Sequence, residues 1–429
     1  MTVASYNDVI IIGAGASGLM AAVYAAKRGH STLVIDHATV AGKKMLVSGG
    51  GKCNFTNRHI AVTDYYGADI TFCKYALNQF RAASILQILQ EAQIAIEERE
   101  YGRFFTINGA NEIVNYLVDK AKQSGVHFLM STKVSEVKHH NNAFHAQCDG
   151  QMLTSKCLLI ATGGLAWPQI GATDLGYVIA RQFGHTIVPL KPVLAGFILP
   201  PTSAIRNLQG ISLVVQLRIK GDSRIIEEPL LFTHQGISGP AALQISCYWE
   251  KGNTLLINFL PSEDVILQMH HPENGRLQVQ NLIKQFIPER LVKALIPEHL
   301  SGRKVAELSK QDRKTIATVI HSFAVEPEAI EGFSKAEATS GGVSTREINP
   351  KSMESHLLKG LYFSGEVIDI TGRLGGYNIH WAFASGYIAG KCIGSTLLLK
   401  KKSYSPVTSE SAFVPYPSSR IKTLSLPNY

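Results

Sequence analysis

The chain has 429 residues, of which 45% are hydrophobic and 17% charged, with a formal net charge of +9 at pH 7. That length exceeds one ordinary domain, and the balance excludes a disordered or membrane-embedded chain. The six cysteines (53, 73, 148, 157, 247 and 392) form no Cys-x-x-Cys pair and no regular framework, which argues against a metal site, a thioredoxin-like redox pair and a secreted disulfide scaffold.

No apolar run approaches eighteen residues and no basic region precedes the first one, so a cytoplasmic protein without signal peptide or membrane span is expected. Lys400, Lys401, Lys402, Arg420 and Lys422 against Glu410 leave +4 on the last thirty residues. The rest of the chain is mildly basic, compatible with nucleic acid or an anionic cofactor and specific for neither.

Val9 to Ile12 are four consecutive β-branched residues, read as a buried parallel strand, and Gly13-Ala14-Gly15-Ala16-Ser17-Gly18 follows at once. In this Gly-x-Gly-x-x-Gly, Gly13 allows a tight turn and Gly15 a close approach of backbone to a pyrophosphate. Gly18 lets a helix over 19–28 sit close to the strand, with its positive end toward the phosphates. Gly29 is the expected C-cap, 31–35 the second strand, and Asp36 stands where a ribose hydroxyl acceptor belongs, next to His37.

Downstream, Lys44 precedes Ser48-Gly49-Gly50-Gly51-Lys52-Cys53-Asn54. This loop of open backbone N–H groups and little bulk suits phosphates and a flat ring. Residues 75–100 read as a helix, and a second helix starts near Asn111, a candidate cap, and runs to Gly125. Short strands are expected at 126–130, 134–138, 143–148 and 152–156, with Val134 on an edge suited to main-chain reading of an adenine. Cys157 to Ile160 form another buried strand that delivers Ala161, Thr162, Gly163 and Gly164 to the nucleotide crevice.

From Val193 the segments 194–199, 211–219, 224–232 and 253–260 are short and β-rich, and 275–332 is helical in spacing. Gly360 to Gly365 restores the strand-then-glycine signature, followed by the acid Glu366. The turn Gly375-Gly376-Tyr377-Asn378-Ile379 then opens a helix over 381–393 whose first N–H groups face electron-rich ring oxygens. The organisation expected is a Rossmann-like α/β domain over 1–192 and 336–398. It is interrupted by an inserted β-barrel (193–272) and a small helical domain (273–335), and a basic Ser/Pro-rich tail (399–429) is expected to be disordered.

These segments, the GAGASG turn with its acid at 36, SGGGKCNFTN at 48–57, ATGG at 161–164 and GEVIDITGRLGGYNIHWAFASG at 365–386, resemble the BaiN/RdsA-type NAD(P)/FAD-dependent oxidoreductases, also labelled aminoacetone-oxidase-like FAD-binding flavoproteins. Asp36 departs from the Glu usual in that family. The resemblance implies FAD held by Gly13, Ala14, Gly15, Ala16, Ser17 and Gly18 at the pyrophosphate, and by Asp36 and His37 at the ribose. It implies Lys44 with Ser48, Gly49, Gly50, Gly51, Lys52, Cys53 and Asn54 at the phosphates and flavin, and Val134 at the adenine. It also implies Ala161, Thr162 and Gly163 in the crevice, and Gly365, Glu366, Gly375, Gly376, Tyr377, Asn378 and Ile379 at the ribityl chain and pyrimidine ring.

No second Gly-x-Gly-x-x-Gly exists, so NAD(P)H as electron donor has to bind without its own Rossmann unit, or another reductant serves. The resemblance implies reduction of an activated C=C bond, in an unsaturated ketone or in a uridine of 23S ribosomal RNA. Hydride goes to the carbon β to a carbonyl and a proton to the α carbon. Cys53, His380, Arg373 and Tyr377 are the acids that the motifs place near the flavin. Lys52 beside Cys53 favours its thiolate, and Arg373 is either a ligand for a carbonyl or phosphate or a partner of Asp369. The alternatives are a reductase or oxidase of a small molecule such as an amine, and an FAD-containing protein that associates with RNA or ribosomes without catalysis. Substrate and oligomeric state stay open.

Overall fold

The structure, a computed structural model, describes residues 6–395. The basic tail expected over 399–429 lies outside the described residues. Strand β1 (Tyr6–Ile12) carries the β-branched run, and Val9, Ile10 and Ile11 are fully buried. Helix α1 (Ala16–Lys27) is a run of small residues buried on both faces, and β2 (Thr32–Ile35) pairs parallel with β1. Helix α2 (Asn111–Gln123) leads to β3 (His127–Leu129) on the far side of β2; its N-cap is Ala110, and Asn111 is already helical.

The hairpin β4 (Val134–His140) and β5 (Ala143–Cys148) runs into β6 (Gln151–Ile160). The strands expected at 152–156 and 157–160 are one ten-residue strand with two jobs. Its first half pairs antiparallel with β5, and from Thr154 onward it pairs parallel with β1, from Tyr6 opposite Thr154 to Ile12 opposite Ile160.

The helix expected over 75–100 is three elements. Lys74–Gln79 stops at Phe80 (φ −129°), Ala82–Glu91 ends with Gln93 in the left-handed region (φ +57°), and Ile96–Arg99 is a strand paired with Arg103–Thr106. A left-handed residue just past the last turn is a common helix stop, and here a non-glycine supplies it.

Beyond Ile187–Val193 the inserted segment contains β7 (Phe197–Ile198), β8 (Ser212–Ile219), β9 (Ile226–Phe232), β10 (Gly236–Ser238), β11 (Leu255–Asn258), β12 (Phe323–Val325) and β13 (Ala329–Ile330). All pair antiparallel, in the order β12-β11-β8-β9-β10-β7-β13. The two edge strands are joined by residues 326–328 alone, so they lie within about 14 Å of each other by chain reach. No pairing joins them among the described residues, so the expected barrel is an open, curled sheet. The helices between β11 and β12, including Glu289–Leu295 and Lys310–His321, pack on this sheet in one shared core that runs from Phe197 to Val325.

Strand Ala338–Val343 returns antiparallel to Ile187–Val193, so the insertion leaves and re-enters along one two-stranded stem. Strand β14 (Leu361–Phe363) then pairs parallel with the second half of β6, completing the first sheet. Helix α3 (Tyr377–Cys392) packs across α1, where Gly386 and Gly390 let the backbones meet: a Cβ on either would fall 2.3 Å from the Ser17 carbonyl and 2.4 Å from the Ala21 carbonyl, respectively. Among the described residues no helix is long and apolar enough to cross a membrane.

Candidate FAD site

The carboxyl ends of β1, β2 and β6 meet where the first βα turn opens, the usual crevice of an open α/β sheet. Gly13 has φ +111°, and a Cβ there would lie 2.3 Å from the Ala161 carbonyl. A Cβ at Gly18 would lie 1.9 Å from the Gly13 carbonyl. These two glycines are closed against protein, whereas a Cβ at Gly15 or Gly163 meets nothing within 4 Å. Open space therefore lies over the backbone at these two positions.

Asp36 directly follows β2 and holds the turn together. Its carboxylate accepts the Ala14 N–H at 2.7 Å and the Ala38 N–H at 2.8 Å, and His37 Nδ1 is 3.6 Å away. Ala14 is fully buried, so it contributes its backbone to the turn rather than a side chain to the crevice.

Two neighbouring clefts share Gly13, Asp36, His37 and Thr162. The larger holds about 990 Å³ of open space. Gly15, Ala16, Ser17, Lys44, Ala161, Gly163, Gly365, Glu366, Asn378 and Ile379 all line it. Val134 lines the smaller cleft with Thr132 and Lys133. Lys44 Nζ stands 2.6 Å from Glu366 Oε2, and Glu366 Oε1 accepts the Thr339 N–H at 2.8 Å. The two halves of the chain meet directly at Ser17 and Ser364, whose hydroxyls are 2.5 Å apart.

The triple-glycine loop lines neither cleft. Gly49, Gly50 and Gly51 have φ of +57°, +66° and +83° and fold into a short turn, Ser48–Gly51. That turn seats on the 103–110 segment: the Ala110 N–H donates to the Gly51 carbonyl at 2.8 Å, and the Thr106 N–H donates to the Lys52 carbonyl at 2.9 Å. Gly375 and Gly376 pack against the loop's far end, where a Cβ at Gly376 would fall 2.4 Å from the Thr56 carbonyl and 2.8 Å from the Asn54 side chain. Asn378 pins the turn by accepting from the Gly372 N–H and donating to the Gly372 carbonyl, both at 2.8 Å.

The acid candidates separate on geometry. Cys53 is fully buried with φ +50°, and burial pushes its thiol up to about 12. Lys52 instead reaches toward Glu97, 3.5 Å away, so the thiolate expected from sequence adjacency is corrected to a buried thiol.

His380 is fully buried: Nε2–H donates to the Phe80 carbonyl at 3.1 Å, and the Thr56 hydroxyl donates to Nδ1 at 2.8 Å. Both ring nitrogens are committed, and burial pulls the imidazole down to about 4. The Tyr377 phenol is pushed up to about 12, mainly by burial, and Tyr377 lies 2% exposed. Arg373 pairs with Asp64 (3.1 Å), not Asp369, and its guanidinium lies 5.2 Å over the Tyr377 ring.

Several lining residues were not read from sequence: Ala166 and Ile170 in the larger cleft, Thr173 and Leu175 in the smaller. Thr339, which fastens Glu366 and accepts the Leu165 N–H at 2.8 Å, was also missed. The signal for it was Gly341-Gly342 just after it, both at positive φ against the Pro189 and Val367 carbonyls.

The residues present fit a dinucleotide. Gly15 and Gly163 leave space over bare backbone, the helix α1 N-terminus points into it, and the buried Thr162 hydroxyl in the shared wall has no protein partner. Among the described residues no cluster of His, Cys, Asp and Glu is placed to hold a metal ion.

Comparison with known proteins agrees with this geometry. The chain is 36% identical over 385 residues to a ribosomal RNA dihydrouridine synthase of Escherichia coli (strain K12), covering 89% of this chain and 96% of the relative. It is 37% identical over 390 residues to the protein of the same description from Haemophilus influenzae, covering 89% and 97%. It is 28% identical over 405 residues to a 3-dehydro-bile acid delta(4,6)-reductase of Clostridium scindens, covering 90% and 98%. The model of the HI0933-like protein Rossmann domain matches residues 7–392. With nearly all of the described fold inside that match, the chain belongs to the HI0933-like family of Rossmann-domain FAD oxidoreductases.

Proposed function

We propose that this flavin-dependent oxidoreductase reduces the C5=C6 bond of a uridine in 23S ribosomal RNA to dihydrouridine. The observation that carries the reading is the dinucleotide crevice, with its open backbone at Gly15 and Gly163 and its unpartnered Thr162 hydroxyl. It stands in a chain collinear with two ribosomal RNA dihydrouridine synthases. FAD, when bound, supplies hydride chemistry.

The chain's own residues then have distinct tasks. The Gly13–Gly18 turn receives the pyrophosphate, and Asp36, already fixed by two backbone N–H groups, receives the adenosine ribose. Val134 with Thr132 flanks the adenine. Glu366, paired with Lys44 at 2.6 Å, would hold the ribityl hydroxyls, and Lys44 would face the phosphates. Asn378 and Ile379 in the first turn of α3 present backbone N–H groups to the pyrimidine edge of the ring. NADPH or NADH supplies the electrons without a Rossmann unit of its own.

The test is mass spectrometry of 23S ribosomal RNA from cells with and without the gene. Loss of a dihydrouridine on deletion, restored by the wild-type protein, is the expected result. Unchanged dihydrouridine content refutes the RNA substrate.

A further inference from the structure

A third cleft, of about 1050 Å³, opens where the inserted sheet meets the first domain, and Trp167, Leu194, His234, Glu331, Lys335 and Glu337 are among its walls. It adjoins the FAD crevice: Ala166 lines the crevice and Trp167 lines this cleft. On the other side, Glu337 stands two residues before Thr339, which fastens Glu366.

Two wall residues are held in a conformation that L side chains rarely adopt, Trp167 at φ +67° and Leu194 at φ +53°. Both are fixed by the segment that carries Glu337. The Trp167 N–H donates to the Phe333 carbonyl at 3.0 Å, and the Glu337 N–H donates to the Leu194 carbonyl at 3.1 Å. Strain at a half-buried tryptophan and its neighbouring wall residue, each locked by a hydrogen bond to one segment, is the pattern of a preorganised site.

We infer that this cleft seats the target ring, a flat heterocycle with an imide edge, stacked on Trp167 and bridged by the Glu337 carboxyl. The inference rests on the uridine reading above. An imide offers one N–H between two carbonyls, and a protonated carboxyl matches it with two hydrogen bonds, its C=O accepting the N–H and its O–H donating to a carbonyl. Glu337 is exposed to the cleft, and its carboxyl makes no hydrogen bond or ion pair with any described side chain; the protein packed around it raises it above its ordinary value, against the pull of Lys44 and Arg103. His234, Glu331 and Lys335 are the other titratable groups of the cleft. A base in duplex or stacked RNA has to leave its stack to arrive here, which an aromatic face repays.

The test is equilibrium binding of a short single-stranded oligoribonucleotide with one uridine to the oxidised, FAD-loaded protein, beside the same oligonucleotide with N3-methyluridine. Flavin content and thermal midpoint of each variant are checked first. Trp167→Ala and Glu337→Ala are expected to weaken binding about 5- to 150-fold, the range of one lost base–aromatic stack. N3-methylation is expected to match Glu337→Ala. Glu337→Gln keeps both hydrogen bonds and should bind within about threefold of wild type. Its affinity should stay flat with pH, while that of the wild type falls as rising pH ionises Glu337.

Uridine binding that survives both alanine variants, or an N3-methyl probe that binds as well as uridine, overturns the cleft assignment and leaves the RNA substrate standing. The expected series together with unchanged dihydrouridine in ribosomal RNA supports the cleft and overturns only the RNA reading. No binding of the uridine probe by the wild-type protein overturns the cleft assignment.

Discussion

The contrast between Gly15 and Gly18 makes the cofactor assignment testable with one methyl group at each. At Gly18 the new Cβ would lie 1.9 Å from the Gly13 carbonyl, backbone against backbone, with no flexible side chain to give way. Overpacking of that kind costs about 1–3 kcal/mol, of which the better helix propensity of Ala offsets about 1 kcal/mol. Gly18→Ala should therefore lower apo-protein stability by up to about 2 kcal/mol.

At Gly15 the backbone is in a region open to any residue (φ −79°) and a Cβ meets nothing within 4 Å. Gly15→Ala should leave apo stability within about 0.5 kcal/mol of wild type, as for surface changes away from special features. In the loaded protein that same Cβ occupies the space a pyrophosphate needs. Displacing the phosphates against an unyielding turn should cost a comparable 1–3 kcal/mol, which is about 5- to 150-fold in FAD affinity. Urea unfolding of the apo-proteins and flavin fluorescence titrations separate the two effects. Wild-type FAD affinity in Gly15→Ala, or a loss of apo stability there as large as in Gly18→Ala, would refute a pyrophosphate lying over this backbone.

Three further outcomes follow from buried groups. His380 is held neutral with its imidazole pulled down to about 4, while the unfolded chain takes up a proton near pH 6.5. Its contribution is therefore intact above pH 6.5 and drains away as pH falls toward 4, up to roughly 3 kcal/mol. Urea midpoints at pH 7 and 4.5 should differ less in His380→Gln than in wild type, and an equal drop in both proteins would count against this.

The Cys53 thiol, pushed up to about 12 and fully buried, should resist iodoacetamide in the native protein at pH 8 and react only on unfolding. Mass-spectrometric labelling decides it, and rapid native modification would mean an accessible thiolate. Arg103 and Glu228 join the 103–106 strand to the inserted sheet at 3.2 Å, and Glu228 also accepts from Gln244 at 2.5 Å. With Arg103 one-fifth exposed, Arg103→Leu should cost about 2–3 kcal/mol and the Arg103→Leu/Glu228→Gln pair less. A single variant within 0.5 kcal/mol of wild type in urea unfolding would contradict a desolvated pair.

The parts of the site legible in the sequence are those whose determinants are adjacent in the chain. The Val9–Ile12 run, the glycine turn and Asp36 form one continuous unit, and Asp36 fastens the Ala14 N–H only 22 residues back. The 157–164 strand end was legible for the same reason. The triple-glycine loop was recognisable as a ligand-type loop, yet its placement depends on Phe105, Thr106 and Ala110, fifty residues on, and on Gly376, more than three hundred on. No local pattern encodes those contacts.

Cys53 shows the same limit in charge. Lys52 is its neighbour in sequence, but successive side chains diverge, and Lys52 turns to Glu97 while Cys53 turns inward. The long helix expected at 75–100 failed because apolar spacing persists through Phe80 and Gln93, where backbone angles break it. The open edge of the inserted sheet depends on which strands pair, and strand spacing alone leaves pairing undetermined.

The two clefts differ in how they are built, and that difference bears on division of labour. The FAD crevice lies where α1 and α3 touch backbone to backbone through Gly386 and Gly390, and where Ser17 meets Ser364, so its two halves form one packed body. Small-residue contacts of this kind leave little room for repacking. Cofactor geometry is thereby set by the core of the first domain. The third cleft lies instead just past the stem of the insertion, lined by Leu194–Gly196 directly after one stem strand and by Glu337 directly before the other, with strained Trp167 and Leu194 on its walls. Changes in the inserted sheet can reshape that cleft while the α1–α3 body keeps its contacts. Relatives described by different substrates align over nearly the whole chain, which is what a fixed crevice beside a variable joint would allow.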